Sequence, residues 1–564
     1  MPQIKDGVYK GTAWAHNGPM TVSVSLKDNQ IKEVKVNQEK ETHYVADYAL
    51  TEMPNRIKNA QSYNVDVVSG ATYTSNGIES AVKNALDKVD KKVSNFDRRV
   101  YPEQKNHKLS TDIVIVGSGL AGLNAAITAK ENGIDVVILE KNGRLGGDSI
   151  VSAGCICATG SQINKDKDND PEDLYQVYNQ FAHREGGEID SNLVHYLAKE
   201  SGKTVDYYLN KYGIQMQVMP LGISPAPRAH MNAHFGYGLV IPLINQAKKL
   251  KIPIIREQAV KEIKTENGKI TSVHSQGQEG SFDISAKAVV LTMGGFDGSE
   301  KMRDTYAPEA KGTEIYSNPA NSGDYIPIAK DLKAGLQFQD GVMGCVIVAP
   351  GFPVGHAGIN DLVFFGNTLA VDNTGHRFTQ EGQHYPFMFN DIRHSDGKHF
   401  YWLYSPHHTL VTGPADPALK NAVNWGFADK VFNLNKAAKI IGCDSEVLKK
   451  TFNKYNSYEK TGDPEFSRKD IKALSSHGPY YVVEGHPATI AGFGGLVINT
   501  KAQALDEMHH PISGLYAAGE DASGQLFVHT YPVSGTMLNT CTVFGKTAGF
   551  EAAKFVKNAL NEAL

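Results

Sequence analysis

The sequence predicts a multidomain protein of mixed α/β and α+β class, with a Rossmann-like domain and a small α+β domain before it. Three observations support this prediction. The 564 residues exceed what one hydrophobic core can serve. Residues 112–149 are patterned as strand, glycine turn, helix and strand. Residues 21–36 alternate apolar and polar side chains around Asp28-Asn29, which is typical of a β-hairpin.

Composition excludes several classes of function. The net charge of -4 gives no sign of nucleic acid or of an anionic membrane surface as a partner. No apolar run approaches a membrane span, and the N-terminus has no basic-then-apolar signal. The five cysteines are few and odd in number, and only Cys155 and Cys157 are close in sequence. We therefore expect reduced thiols, no metal site and a cytoplasmic location.

The first domain is expected over residues 1–95, followed by a polar linker over 96–110. An apolar stripe predicts a helix after Ser75, and Asn76 with Glu79 has the spacing of a capping box. Just before it stand the small and hydroxyl residues of "SGATYTS". A simple serine or threonine helix cap is one explanation for them.

The glycine turn is the most specific local motif. Gly117, Gly119 and Gly122 follow an apolar strand and open a helix, and Glu140 ends the next strand. Glycines permit a tight turn and close approach of a pyrophosphate to the helix N-terminus, while the acid can bind ribose hydroxyls. A lone GxGxxG is weak evidence, but this complete context predicts a dinucleotide site over an ordinary glycine-rich turn.

Further motifs resemble the FAD-binding flavoproteins of the fumarate reductase type. They are "GRLGGDS" after the acid, "TMGGF" at 292–296 and "GLYAAGE" at 514–520, and the resemblance covers about 111–564. It implies bound FAD and a Rossmann-like FAD-binding domain in two parts, 111–298 and 486–564, around an inserted capping domain at 299–485. Two departures are Asp148, where an Asn is more usual, and "SAGCICATG" in place of a more glycine-rich run. The additional FAD-binding residues implied are Lys141, Gly146, Gly147, Ser149, Gly294, Gly295, Gly519, Glu520, Thr536 and Leu538.

The stretch from Asp66 to Thr72 resembles the acceptor motif of the FMN-binding domain. The resemblance implies that a flavin transferase joins FMN to Thr72 through a phosphodiester, with Ser69, Gly70 and Ala71 completing the motif. Thr74 is the alternative hydroxyl. No segment indicates a nicotinamide site, so we expect a separate electron donor or reductase to reduce the FMN, which passes electrons to FAD.

The substrate positions depart from fumarate reductases, which hold two carboxylates with Arg and His and use an Arg as proton donor. The corresponding positions here are Tyr385, Ala491 and Pro532. The motif from Tyr531 to Gly535 instead resembles the Y-P-x-x-G of 3-ketosteroid dehydrogenases. This implies that Tyr531 and the Gly535 N–H hold a ketone oxygen and that Tyr385 exchanges a proton at the α-carbon. Tyr385 could also be a packing residue, and Gly535 could serve only the flavin.

The two flavins favour reduction, so the sequence predicts an ene-reductase for a small-molecule unsaturated carbonyl substrate, with a 3-ketosteroid-like enone as the lead candidate. One alternative is an unsaturated carboxylate such as fumarate, urocanate, acrylate or a hydroxycinnamate, bound by Arg228, His230 or His384. For those histidines a structural or surface role is the favoured explanation, because the chain has 20 histidines. A ketone desaturase and a non-catalytic FMN electron carrier remain further alternatives.

Overall fold

The structure is a computed structural model that describes residues 4–89, 96–165, 170–184, 186–219, 228–278, 280–348, 368–394, 399–405 and 415–562. Within these residues the N-terminal domain is a three-stranded antiparallel sheet with a core of its own. The predicted hairpin is confirmed, and Asp28 and Asn29 both have positive φ, as a tight hairpin turn requires. The strands and helices of this domain are Gly7–Trp14, Pro19–Lys27, Gln30–Gln38, Asp47–Ala60 and Thr72–Leu86.

The helix of the "SGATYTS" segment begins at Thr72, so the predicted start after Ser75 and the capping box are wrong. Glu79 instead accepts a hydrogen bond from the Val65 amide at 3.4 Å. The helix packs closely on the first strand, because a Cβ on Gly11 would overlap the Ala81 carbonyl oxygen. Tertiary packing therefore sets where this helix starts, and its first turn exposes Thr72.

The Rossmann-like domain contains a six-stranded sheet whose first five strands are parallel. In spatial order its strands are Ile254–Ile255, Val136–Leu139, Ile113–Val116, Ala288–Leu291, Pro511–Ala517 and Gln503–Leu505. Every residue of the three strands at 113–116, 136–139 and 288–291 is buried, as parallel strands covered on both faces require. The helices of this domain are Leu120–Glu131, Pro171–Arg184, Ser191–Tyr212, Phe235–Lys249, Glu300–Tyr306, Tyr325–Asp331 and Thr536–Glu562.

A second sheet corrects the predicted linker. Residues Lys105–Ser110 form a strand that pairs in parallel with Gly280–Ser285. The partner strands Gln258–Glu266 and Lys269–Gly277 form the hairpin that the pattern of "VKEIKTENGKITSVHS" (260–275) predicts. The sequence of Lys105–Ser110 shows no alternation of apolar and polar residues, because all six residues are exposed. A small third sheet joins Cys155–Cys157, Ala229–Met231 and Gln217–Met219.

The inserted region is organised around one long strand, Tyr480–Leu496. This strand runs through the predicted domain boundary at 485/486, so the chain crosses between domains inside a strand. Its partners are Glu314–Ile315, Leu336–Val348, Phe400–Tyr404 and Asp429–Val431, and Thr368–Asp372 pairs with Phe400–Tyr404. The helices are Tyr385–His394, Ala415–Asn424, Leu434–Ile441 and Ser445–Thr461. No helix within the described ranges has both the length and the apolar character to cross a membrane.

Candidate functional site

The glycine turn has the geometry of a phosphate cradle. Gly117 has φ +105°, and a Cβ on Gly122 would overlap the Gly117 carbonyl oxygen and lie 2.7 Å from Thr292 Oγ1. At Gly119 the nearest atom to such a Cβ is Ser149 Oγ, at 4.0 Å. The turn is therefore tight behind the backbone and open in front of the helix N-terminus, where amide N–H groups can bind a pyrophosphate.

Glu140 lies buried beside this turn. The Ser118 amide and hydroxyl donate to Glu140 Oε2 at 2.9 and 2.6 Å, and the Asn142 amide donates to Oε1 at 2.8 Å. The carboxylate is thus fixed at the end of its strand, as the ribose-binding role requires. The ammonium group of Lys141, the next residue, binds Asp324 at 2.8 Å and Ser322 at 3.1 Å. It ties down the 320–324 loop.

Several of the other predicted FAD residues lie beside the glycine turn or beside one another. Gly146 and Gly147 have positive φ, and Ser149 Oγ accepts the Leu120 amide at 3.3 Å. A Cβ on Gly295 would lie 2.5 Å from Glu520 Cδ, so this glycine makes room for the carboxyl group. Several of these residues are partly exposed although buried neighbours surround them: Gly117, Gly119, Gly147, Ser149, Gly294, Glu520, Gly535 and Leu538.

Three acidic side chains line the same region. Asn321 Nδ2 donates to Asp148 Oδ2 at 2.7 Å and to Glu520 Oε2 at 3.4 Å, and Asp297 lies beside Glu520. Burial raises the pKa of Asp148, Asp297 and Glu520, and repulsion from Asp148 adds to this for Asp297 and Glu520. Asp148 accepts the Asn321 amide, a contact that the side-chain oxygen of an asparagine could also make.

These features fit FAD. The cradle rejects side chains, and among the described residues the buried Asp148 Oδ1 and both amide atoms of Asn539 have no hydrogen-bond partner. Gly519 has φ +102°, and Thr536 begins the C-terminal helix.

The "SGAT" loop lies directly against the Rossmann-like domain. Ser69 Oγ donates to Asn142 Oδ1 at 3.0 Å, and the Gly143 amide donates to the Ser69 carbonyl at 2.9 Å. Glu257 accepts the Ser69 amide at 3.2 Å and forms a salt bridge with Arg56. The loop therefore docks on the residues that immediately follow Glu140.

The hydroxyls of this loop differ in accessibility. Thr72 is exposed in the first turn of its helix, next to Gly70 at φ +82°. Thr74 is 4% exposed, and its hydroxyl is bonded to Glu41. Ser75 Oγ is buried and bonded to the Val68 amide and the Ala71 carbonyl. Thr72 is thus the threonine of this motif that a modifying enzyme can reach, and its position at a helix N-terminus suits a phosphate.

Tyr531 and Gly535 lie at the start of the C-terminal helix. Tyr531 is buried, and its phenol oxygen accepts the Met537 amide at 2.6 Å. The phenol proton remains available for donation. Gly535 has φ +90°, and a Cβ there would lie 2.7 Å from both Cys155 Sγ and the Cys157 amide nitrogen. Only glycine fits this position without displacing the strand Cys155–Cys157.

Tyr385 meets these residues from the inserted region. It begins the helix Tyr385–His394 and hydrogen-bonds the side chain of Ser534. Burial raises the pKa of Tyr385, and burial together with Tyr385 raises the pKa of Tyr531 well above its ordinary value. The structure thus places Tyr385 close to Tyr531 and to Ser534, the residue before Gly535, and both phenols are protonated.

Sequence reasoning missed two neighbours of the tyrosine pair. Tyr178 is fully buried on the helix Pro171–Arg184 and contributes to the raised pKa of Tyr531. Cys155 lies close to both Tyr385 and Tyr531, and burial raises its own pKa, so it is a neutral thiol. Neither residue was predicted to belong to the site. For Tyr178 the reason is that a lone tyrosine at helical spacing resembles a core residue.

Three basic side chains that could serve as carboxylate ligands bind other groups of the protein: His230, Arg377 and His384. His230 bonds Ser161 Oγ at 2.7 Å and the Arg228 carbonyl at 3.0 Å, which is a structural role. Arg377 forms buried salt bridges with Glu381 at 2.7 Å and Asp463 at 2.9 Å. His384 Nε2 donates to the Tyr531 carbonyl at 3.1 Å, and burial lowers the pKa of His384 to about 4. His384 is therefore neutral near pH 7.

All five cysteines are free thiols, and burial raises the pKa of Cys157 to about 12.

Comparisons with known proteins agree with this geometry. The FAD binding domain model matches residues 112–538, and the FMN-binding domain model matches 16–87. The chain is 27% identical to urocanate reductase of Eggerthella lenta over 97% of this chain and 92% of that protein. It is 28% identical to fumarate reductase (cytochrome) of Shewanella frigidimarina, over 79% of this chain and 78% of that one. The 3-ketosteroid Δ1-dehydrogenase structure from Sterolibacterium denitrificans aligns with a TM-score of 0.68 at 20% identity, covering 79% and 99% of the two chains, and shows the shared fold.

Proposed function

This chain belongs to the FAD binding domain family, and from that premise we propose that it is a flavin-dependent reductase that saturates a C=C bond conjugated to a carbonyl. Its cofactors are FAD and FMN, each matched by a domain of its own. It is an oxidoreductase acting on C=C bonds, as its relatives are. The proposed substrate is an enone, for which a 3-keto-4-ene steroid is the first candidate.

One observation carries the enone proposal: Tyr385 and Tyr531 are protonated phenols near Gly535, and the positions that hold Arg and His in fumarate reductases are Tyr385, Ala491 and Pro532 here. Burying an unpaired carboxylate there would cost several kcal/mol, on the order of the penalty for any buried unpaired charge. A ketone oxygen needs only neutral donors, and the Tyr531 hydroxyl and the Gly535 N–H are of that kind.

Bound FAD supplies the hydride that a conjugated β-carbon accepts. Tyr531 and Gly535 then stabilise the negative charge that develops on the carbonyl oxygen. Tyr385 delivers a proton to the α-carbon, because its raised pKa keeps the phenol protonated and Ser534 orients its hydroxyl. The apolar rings of Phe493 and Phe527, each 5.9 Å from the Tyr531 ring, exclude water from this side of the site.

Covalent FMN at Thr72 is the second part of the proposal. A flavin transferase attaches it, and a separate donor reduces it. The docking of Ser69 on Asn142 and Gly143 supports electron transfer from FMN to FAD, because it holds the modified loop beside the FAD-binding Glu140.

The test uses purified protein loaded with both flavins and reduced by a viologen dye without oxygen. Dye oxidation is followed with a steroid enone, and in parallel with fumarate, urocanate, acrylate and cinnamates. Turnover of the enone alone, lost in Tyr385→Phe, supports the proposal. Turnover of an acid alone refutes it. A saturated ketone that reduces an oxidised dye would indicate a desaturase, and no reaction with any compound would indicate an electron carrier.

An unsaturated carboxylate is the second candidate, because the similarity to urocanate reductase extends over both flavin domains. One cation suited to it is Arg228, which is buried, lies close enough to Cys157 to affect its pKa, and has an ion pair of 3.8 Å with exposed Asp173. Arg228→Gln would abolish turnover of an acid and leave enone turnover intact.

A further inference from the structure

A cluster of two histidines and two glutamates lies on the sheet of the inserted region, outside the flavin and carbonyl sites. The strand Phe400–Tyr404 pairs with Tyr480–Leu496, with Phe400 opposite Gly485. His399, one residue before Phe400, therefore faces His486. Glu484 lies two residues from His486, so both side chains project from the same face of the strand. The register of the two strands thus brings His399, Glu484 and His486 together.

The contacts in this His399 cluster are short and mutual. His399 Nδ1 lies 2.7 Å from Glu484 Oε1, and His486 Nε2 lies 3.1 Å from the same oxygen. The two imidazole centroids are 4.5 Å apart. One ligand atom from each residue lies within 4.8 Å of the others. The three side chains therefore converge on one small volume.

These separations are close to those around a tetrahedral metal ion. Bonds of about 2.0–2.2 Å from zinc to nitrogen and oxygen place neighbouring ligand atoms roughly 3.3 Å apart. Two imidazoles and one carboxylate form a donor set that zinc favours. We propose that His399, Glu484 and His486 bind one divalent transition-metal ion of the zinc type, with water in the remaining position.

Glu314 adds a feature that a chance group of surface histidines lacks. Its Oε1 lies 3.4 Å from His486 Nδ1, on the opposite side of the ring from Glu484. A carboxylate that accepts the Nδ1 proton fixes the tautomer that leaves Nε2 free to bind metal. Glu314 lies on a third strand, which pairs with Tyr480–Leu496 at Ala488.

The ion would join three strands of the inserted region near the catalytic tyrosine. Ala488 is the next residue after His486 on the same strand face, and it packs in the apolar cluster that contains Tyr385. A metal ion at the His399 cluster would steady the strand behind Tyr385. This inference does not depend on the substrate.

In the test, a chelator first strips metal from the full-length, flavin-loaded protein. The protein is then brought to equilibrium with zinc by dialysis, and its zinc content is measured by elemental analysis. We expect about one zinc ion per chain, with loss of this ion in His486→Ala and in Glu484→Gln. Glu314→Gln should weaken binding about 10- to 100-fold. His274→Ala is the matched control, because His274 forms a similar cross-strand pair with Asp283 at 2.8 Å. It should keep the ion.

Zinc should also raise the thermal unfolding midpoint of the native protein and of His274→Ala, but not that of His486→Ala. Equal flavin content in all variants shows that they are folded. The proposal is overturned if the native protein retains no zinc, or if the double variant His399→Ala/His486→Ala retains as much as the native protein.

Discussion

Replacing Tyr531 by phenylalanine removes one buried hydroxyl that has two separable roles. In the folded protein it accepts the Met537 amide at 2.6 Å, where both residues are less than 10% exposed. Leaving that N–H without an acceptor costs about 1–3 kcal/mol of stability. The second role is donation to the carbonyl oxygen of the substrate, and loss of one such donor lowers kcat by about 10²- to 10³-fold.

The assay is anaerobic, viologen-linked turnover of a steroid enone, together with thermal unfolding and measurement of bound FAD. Tyr208→Phe is the control, because Tyr208 is also fully buried and its hydroxyl donates to Asn124 at 2.9 Å. It should lose similar stability and retain native turnover. If Tyr531→Phe retains enone turnover within about twofold while Tyr208→Phe shows equal destabilisation, the carbonyl-binding role of Tyr531 is refuted, since an oxyanion donor is worth far more.

Three further predictions address the flavins and the buried histidine. Thr72→Ala should lose the covalent flavin, seen as fluorescence of the denatured protein in a gel, whereas Thr74→Ala should keep it. Loss of the fluorescence in Thr74→Ala alone would show that Thr74, and not Thr72, carries the FMN. Gly122→Ala should weaken FAD binding about 10-fold or more, because overpacking against Gly117 costs about 1–3 kcal/mol, and unchanged FAD titration would contradict the cradle. His384 has a folded pKa of about 4 against 6.5 for the ordinary group, so the unfolded chain binds the extra proton between these values and stability falls as pH falls through that window. In urea unfolding, His384→Gln should reduce this slope by up to about 1.4 kcal/mol per pH unit, and an unchanged slope would place the titration elsewhere.

The contact between the two flavin domains gives the proposed electron transfer from FMN to FAD a structural basis. A Cβ on Gly143 would lie 2.8 Å from the Tyr48 ring, so a glycine at this position lets the N-terminal domain approach closely. The salt bridge between Arg56 and Glu257 crosses the same interface, and both side chains are nearly buried. Such a partly desolvated pair favours one docking orientation over many.

Much of the molecule follows from local sequence. Gly117, Gly122 and Glu140 predict the cradle and its acid, because the turn and the strand end lie within one β-α-β unit and obey short-range rules. The hairpins around Asp28-Asn29 and near residue 268 were predicted for the same reason. The strand Lys105–Ser110 was not predicted, because a strand exposed on both faces has no hydrophobic alternation.

The sequence by itself thus determined the FAD cradle, the two-flavin organisation and the three residues predicted to contact the carbonyl group. The resemblance favoured Thr72 over Thr74 as the FMN acceptor, and the tertiary structure adds a physical reason, because a helix that starts at Thr72 buries the Thr74 hydroxyl and exposes Thr72. The raised pKa of Asp148 is likewise a property of the folded chain, because burial causes it. The His399 cluster was absent from the sequence analysis because its three ligands lie in or next to two strands that are far apart in the sequence. Burial and long-range pairing are properties of the folded chain, and no short stretch of sequence encodes them.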